Sequence, residues 1–166
     1  ATVTFTATDG CGNATTTSAS FTIEDTTAPN INVAATDATV ECDGQGNTAA
    51  LQAWLASNGG ASASDACSNV TWSNNFDALS DGCGNTGSAT VTFTATDDCG
   101  NTATSTAIFT IQDTTAPTWT TQAGSLNQTI ECSNAEALNS AQALFPTASD
   151  LCDADVSNIT KVSGQF

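Results

Sequence analysis

Residues 1–29 read ATVTFTATDGCGNATTTSASFTIEDTTAP, and residues 89–117 repeat them as ATVTFTATDDCGNTATSTAIFTIQDTTAP. The two copies match at 22 of 29 positions without a gap, at an offset of 88 residues. A fixed period of this length is typical of an array of small domains. We therefore predict three units: 1–29 is the C-terminal hairpin of one module, 30–117 is a complete module, and 118–166 is the N-terminal half of the next.

Each copy of the repeat has the periodicity of β-strands. Val91, Phe93 and Ala95 alternate with threonines, and Phe109 and Ile111 alternate with polar residues after an intervening turn. A period of two gives each strand one apolar and one polar face. We predict an antiparallel hairpin in each copy, with its apolar face turned inward.

One segment departs from this pattern. In residues 47–58, Leu51, Trp54 and Leu55 recur at the spacing of one helical face. The next repeat has a related helical run that begins with a capping-box sequence at Ser133. The predicted fold class is therefore all-β, with tandem immunoglobulin-like β-sandwich modules of about 88 residues, each with one short inserted helix.

The charge of the chain excludes several classes of partner. Asp and Glu number 17, Lys161 is the only basic residue, and there is no His. Such a chain repels the phosphates of nucleic acid and of anionic membranes. It has no run of 18 apolar residues for membrane insertion. Without an imidazole, Ser-His and Cys-His catalysis are also excluded, and we predict that the chain is not an enzyme.

The cysteines indicate disulfides and an oxidising compartment. There are seven Cys and no His, and the four in residues 30–117 include no C-x-x-C pair of the kind that binds zinc. A small module also has a modest core and gains from covalent bridges. The expected pairs are Cys42–Cys67, Cys83–Cys99 and Cys132–Cys152, with Cys11 left over. The rival pairing joins Cys42 to Cys83 and Cys67 to Cys99.

Both copies of the repeat end in Asp-Thr-Thr-Ala-Pro, at 25–29 and 113–117. Proline stiffens such a linker, so successive modules are expected to line up as a rod, with buried contacts around Pro29 and Pro117. Acidic residues also gather at the predicted module ends. Because calcium takes oxygen ligands, a calcium site is a candidate cofactor site there. Its candidate ligands are Asp25, Asp113 and Asp97, although aspartates of this kind also cap turns.

The segments VTFTATDDCGN and FTIQDTTAP resemble the hyalin-type and immunoglobulin-like repeats of very large surface adhesins of Bacteroidota, including gliding-motility adhesins. The resemblance covers nearly the whole chain. It implies secretion, location at the bacterial cell surface, and an extended filament for attachment or gliding. The expected partners are neighbouring modules and substratum or glycan surfaces. In the same phylum, Asp-Thr-Thr matches an O-glycosylation pattern, which makes Thr26 and Thr114 candidate sites.

An alternative function is that of an extracellular glycan-binding module, with calcium as a possible cofactor. Such a module requires exposed aromatic side chains. Most Phe residues lie on the predicted inner faces, which leaves Trp119, and in part Trp72, for a ligand.

Overall fold

The computed structural model describes residues 1–162, and strands form most of its regular structure. The elements in chain order are β1 (Thr2–Thr8), β2 (Ala14–Ser20), β3 (Asn30–Val33), β4 (Ala38–Glu41), α1 (Thr48–Ala56), a 3-10 turn (Asn58–Gly60), β5 (Ser62–Ser64), β6 (Val70–Asn74), β7 (Gly87–Asp97), β8 (Thr102–Gln112), β9 (Thr118–Trp119), α2 (Ala135–Gln142) and β10 (Ala148–Ser149). The β-rich class is thus as predicted.

The largest sheet has the strand order β4-β8-β7-β6. Strands β6, β7 and β8 are antiparallel neighbours, whereas β4 runs parallel to β8 with Ala38 opposite Phe109 and Glu41 opposite Gln112. A second, two-stranded sheet pairs β3 with β5. We call residues 30–117, which contain both sheets and α1, the central segment. Its sheets pack in a β-rich fold, and the immunoglobulin-like class stays a prediction.

The core of the central segment lies between α1 and the β7–β8 hairpin. Val91, Phe93 and Phe109 are its most deeply buried large side chains. The indole of Trp54 in α1 contacts both rings, with centroid distances of 5.2 Å to Phe93 and 5.4 Å to Phe109. Leu51, also in α1, is buried in the same cluster. The predicted inward faces of both strands and the predicted helical face are therefore confirmed.

Both helices form within the predicted segments. The second begins one residue later than the capping box predicted, because Asn134 is its N-cap and the Asn134 side chain accepts the N–H of Ala137. An Asn at this position satisfies one of the free amides of the first turn. None of the helices that the structure describes is long and apolar enough to cross a membrane.

The first hairpin, β1 with β2, forms a separate two-stranded sheet with all its residues exposed. It pairs from Thr2 opposite Ser20 to Thr8 opposite Ala14. The hairpin therefore forms as predicted, but its apolar face is not turned inward within this chain.

Residues 118–162, which we call the C-terminal segment, repeat one backbone pairing of the central segment, that of β3 with β5. Thr118 pairs with Ser149 in the β9–β10 ladder, as Asn30 pairs with Ser64 in the β3–β5 ladder. The repeat is therefore visible in strand register as well as in sequence. The module boundaries at 29 and 117 stay a prediction, and residues 163–166 lie outside the described residues.

One repeated segment has different structures in its two copies. Residues 39–42 read TVEC, and Thr39, Val40 and Glu41 belong to β4. Residues 129–132 read TIEC but form no strand. The difference arises because β4 has a neighbouring strand, β8, to pair with. Residues 118–162 contain no hairpin equivalent to β7–β8. A strand needs a partner for its backbone groups.

Candidate functional site

The two linkers lie at opposite ends of the central segment. Strand β7 has 11 residues, so at about 3.3 Å per residue these ends are roughly 36 Å apart. At the entry end, the side chain of Asn101 donates to the backbone oxygen of Asp25 (3.2 Å). At the exit end, β8 leads into residues 113–117. Of the two linker prolines, Pro29 is buried as expected, but Pro117 is exposed.

A disulfide between Cys42 and Cys152 joins the central segment to the C-terminal segment. The expected pairs Cys42–Cys67 and Cys132–Cys152 are therefore wrong, as is the rival Cys42–Cys83. The thiols of the other five cysteines are free in this structure; they are Cys11, Cys67, Cys83, Cys99 and Cys132. The bridge indicates an oxidising, extracellular environment, as predicted.

Strand geometry explains why the expected pairs fail. Cys42 follows β4 at the exit end, where its N–H donates to the oxygen of Gln112 (2.8 Å). Cys67 lies before β6 at the entry end, beside the β7–β8 turn that carries Cys99. Cys83 precedes β7, so a bond from Cys83 to Cys99 would also have to cross the length of the strand. Disulfides require Cα atoms within about 7 Å.

Around the Cys42–Cys152 bridge, the turns at Gly44 and Gly84 lie against the loop that carries Cys152. We call this contact the exit junction, and backbone atoms make part of it. The N–H of Asn85 donates to the carbonyl oxygen of Cys152 (2.7 Å). A Cβ on Gly44 would lie 2.7 Å from the carbonyl oxygen of Leu151, and a Cβ on Gly84 would overlap the carbonyl oxygen of Cys152. Both glycines have positive φ, so they permit the turn and the close approach together.

Glu41 fixes the start of the exit linker. Its carboxylate accepts the N–H of Thr114 (2.7 Å) and the hydroxyls of Thr114 (3.0 Å) and Thr115 (3.1 Å). The hydrogen bond from the Thr114 backbone is the main reason that the pKa of Glu41 is lowered. Thr26 and Thr114 are both exposed. Their glycosylation stays a prediction, and at Thr114 it would compete with the bond to Glu41.

Two acidic clusters repeat at the junctions. The entry cluster consists of Asp25, Asp65 and Cys67. The exit cluster consists of Asp113, Asp150 and Cys152. Within each cluster, one carboxylate oxygen from each aspartate and the Sγ of the cysteine all lie within 4.8 Å of one another. The predicted ligands Asp25 and Asp113 thus occupy equivalent places. Each linker aspartate also caps its own turn, through the N–H of Thr27 in one case and Thr115 in the other.

The loop aspartates Asp65 and Asp150 were missed by the sequence analysis. Their signal is the motif ASDAC at 63–67, which returns as ASDLC at 148–152. The offset is 85 residues here and 88 at the linkers, so a gapless comparison does not align them. In both loops the aspartate accepts the N–H of the cysteine, at 2.8 Å for Cys67 and 2.7 Å for Cys152.

One atom of the entry cluster lacks a partner. Oδ2 of Asp25 is buried and accepts no hydrogen bond from the described residues. A buried carboxylate oxygen without a donor is costly, and a bound cation would relieve that cost. This is the observation that favours an ion at the junctions over turn capping alone.

The exit cluster has the donor set better suited to calcium. Its cysteine is bonded to Cys42, so carboxylates provide the ligands. It faces a groove of about 320 Å³ whose lining includes the further aspartates Asp153 and Asp155. Calcium prefers such oxygen ligands, whereas the thiol of Cys67 makes the entry cluster suited also to a softer ion.

Asp97, the third predicted ligand, belongs to neither cluster. It is buried, and its carboxylate accepts the N–H of Cys99 (2.9 Å), the N–H of Asn101 (2.8 Å) and the Asn101 side chain (2.8 Å). Although burial opposes the shift, these bonds lower the pKa of Asp97. Partial desolvation raises the pKa of the Cys99 thiol, and the nearby charges of Asp25, Asp97 and Asp98 raise it further. Asp97 therefore acts as a turn cap.

We expect Gly84→Ala to disrupt the exit junction. The added methyl would meet the carbonyl of Cys152, and overpacking of this kind costs about 1–3 kcal/mol beyond the backbone strain. Gly46→Ala is the matched control, because Gly46 also has positive φ but has open space around its Cβ position. The measurements are urea unfolding and the yield of the Cys42–Cys152 bridge after oxidative refolding. Equal losses in both variants would contradict the close contact.

Calcium is expected to raise the thermal midpoint of the chain, because binding to the folded state stabilises it by about 2.7 kcal/mol at 100 times Kd. The variant Asp25→Asn with Asp113→Asn should lose this response. Asp77→Asn with Asp81→Asn removes the same charge from exposed loop positions outside the clusters, and it should keep the response. Thermal unfolding with calcium and with a chelator checks this. The calcium prediction is wrong if the two double variants respond alike.

The chain was also compared with known proteins. No model of a protein family matches it, and no curated protein does. The junction geometry and the internal repeat are therefore the basis on which a function is proposed.

Proposed function

We propose that the chain is a structural repeat segment of a secreted adhesive filament at the bacterial cell surface, with a role in attachment or gliding. The exit junction is the observation that carries this proposal. It joins the central segment to the C-terminal segment by a disulfide and a backbone hydrogen bond in addition to the linker. Units held in this way keep their spacing and orientation when a filament is pulled, whereas flexible Gly-Ser linkers behave as random coils.

Two further features support a repeated structural role. The same acidic cluster recurs at both linkers, which fits a device needed at each joint of an array. The net charge of −16 keeps exposed polar strands soluble and discourages unspecific association. The resemblance to surface adhesin repeats supports the cell-surface location, attachment and gliding, all of which belong to the proposal.

The bridge predicts a specific mechanical behaviour. Cys42 and Cys152 are 110 residues apart in sequence. When the chain is pulled by its ends, an intact bridge prevents this loop, which is about 400 Å long when fully extended, from being stretched. Single-molecule stretching of the chain by its two ends should show this length only after reduction. The variant Cys42→Ser with Cys152→Ser should show it in both conditions.

The same measurement separates the pairing schemes. The pairs predicted from the sequence, Cys42–Cys67, Cys83–Cys99 and Cys132–Cys152, would enclose 25, 16 and 20 residues and together withhold only about 220 Å. An extension that is equal with and without reductant would remove the mechanical role of the bridge, and with it the main support for a force-bearing filament.

A glycan-binding function is the second candidate, favoured by the surroundings of Trp119. Its side chain is 63% exposed and lines a groove of about 280 Å³ together with Gln122, Asn127 and Pro146. An exposed aromatic ring beside side-chain amides can stack on a sugar and hydrogen-bond its hydroxyls.

For a glycan ligand, Trp119→Ala should abolish binding on a glycan array. The control is Phe145→Ala, which removes another exposed aromatic side chain of the same segment and should leave binding intact. Trp54→Phe is not a suitable control, because Trp54 is part of the core. A chain that binds no glycan, or that binds equally after Trp119→Ala, has no sugar site in this groove.

A further inference from the structure

The outward face of the largest sheet is a regular array of threonine side chains. In β7, Val91, Phe93 and Ala95 point into the core, so the residues between them point outward. The array consists of three cross-strand pairs between β7 and β8, which are Thr92–Thr106, Thr94–Thr104 and Thr96–Thr102. We call these six side chains the threonine face. Those of β8 are exposed, and those of β7 are half-buried between their neighbours.

The array repeats in two directions. Along each strand, successive outward threonines are two residues apart, a distance of about 6.7 Å, and neighbouring strands are about 4.8 Å apart. The hydroxyls of Thr92 and Thr106 lie 3.2 Å from each other. On β6, Thr71 lies opposite Thr96 and Ser73 lies opposite Thr94, so two rows continue onto a third strand. Hydroxyl and methyl groups therefore form a lattice rather than a single row.

No charged side chain interrupts this lattice. The chain carries 17 Asp and Glu residues, yet the outward positions of β6, β7 and β8 hold only Thr, Ser, Ile108 and Gln112. Strand propensity favours Thr, but about a quarter to a third of the residues on an ordinary protein surface are charged. A neutral face on a chain with a net charge of −16 is complementary to a neutral ligand.

The core holds the threonine face in place from behind. Phe93 and Phe109, which alternate with the outward threonines, pack on the indole of Trp54. Thr is β-branched, so each side chain has few rotamers. The positions of the hydroxyls are thus largely fixed before any ligand binds, which keeps the entropy cost of binding low.

We propose that the threonine face binds the surface of ice. Ice is neutral, and its surface repeats in two directions; both spacings of the threonine face are close to the oxygen repeats on a prism face of the crystal. A Thr hydroxyl donates and accepts hydrogen bonds, so it can take the place of a lattice water. The neighbouring methyl group orders water without competing for hydrogen bonds. Charged groups hold water in shells that do not fit the lattice, which accounts for their absence from this face.

The first hairpin carries a second copy of the pattern. Thr6 lies opposite Thr16, as Thr94 lies opposite Thr104. Because sheet twist rotates neighbouring strands by about 20–25°, the match to a flat crystal extends best over two strands. Two such faces on one chain raise its avidity for a crystal that both can reach. The inference concerns side chains along the strands, and it does not rest on the proposed filament.

The test compares ice binding by the unmodified chain and three variants. The blocked variant has Tyr at the centre of both copies of the face, at Thr6, Thr16, Thr94 and Thr104. Tyr is favoured in strands, so the sheets are retained while the rings hold the crystal away. The serine variant has Ser at the same four positions, which keeps the hydroxyls and removes the methyl groups. The control has Tyr at four exposed positions away from the face, which are Thr48, Gln52, Ala56 and Ser62.

Each protein solution is frozen slowly around a cold probe, and the protein concentration is measured by absorbance in the ice and in the remaining liquid. Far-UV circular dichroism near the freezing point checks that each variant is folded. We expect the unmodified chain and the control to be enriched in the ice, the serine variant to be enriched less, and the blocked variant to be excluded.

Exclusion of the unmodified chain from the ice would overturn the proposal, as would equal enrichment of the blocked variant and the control. Equal enrichment of the serine variant and the unmodified chain would overturn it too, because hydroxyls alone occur on any polar surface. None of these outcomes bears on the filament, whose support is the exit junction.

Discussion

The contact of the Trp54 indole with the rings of Phe93 and Phe109 is the interaction on which the rest of the structure depends. It holds α1 against the β7–β8 hairpin, and it brings two elements that are far apart in sequence into one core. Hydrophobic burial of this kind is the main driving force for folding a small domain. The long strands that it fixes determine where the two ends of the central segment lie, and therefore where the linkers and their carboxylates are placed.

The first hairpin shows what happens without that contact. It has nearly the same sequence as β7–β8 and the same alternation, yet its Phe5 side chain is exposed. Its ladder is also shorter, with seven residue pairs against ten. Strand pairing is thus local and forms in both copies, whereas burial requires a helix and a further strand from elsewhere in the chain.

The exit junction depends on backbone as much as on side chains. Gly44 and Gly84 let the loop of Cys152 approach closely, and the Asn85 amide binds its carbonyl oxygen. Closing a loop of 110 residues, the Cys42–Cys152 bridge would stabilise the folded chain by about 5 kcal/mol in the chain-entropy account. The exit cluster of Asp113, Asp150 and Cys152 lies beside this contact, so a cation bound there would act on the joint itself.

The sequence by itself determined the elements of this protein. Its alternation predicted the hairpins, the spacing of Leu51, Trp54 and Leu55 predicted α1, and its Asp-Thr-Thr-Ala-Pro segments marked the linkers. These signals are local, and they depend on periodicity and backbone preference. Tertiary structure alone decided the cysteine pairing, the roles of Asp65 and Asp150, and which copy of the hairpin is buried. Each of these depends on distances between residues remote in sequence, set by the length of β7 and by the partner that each face meets.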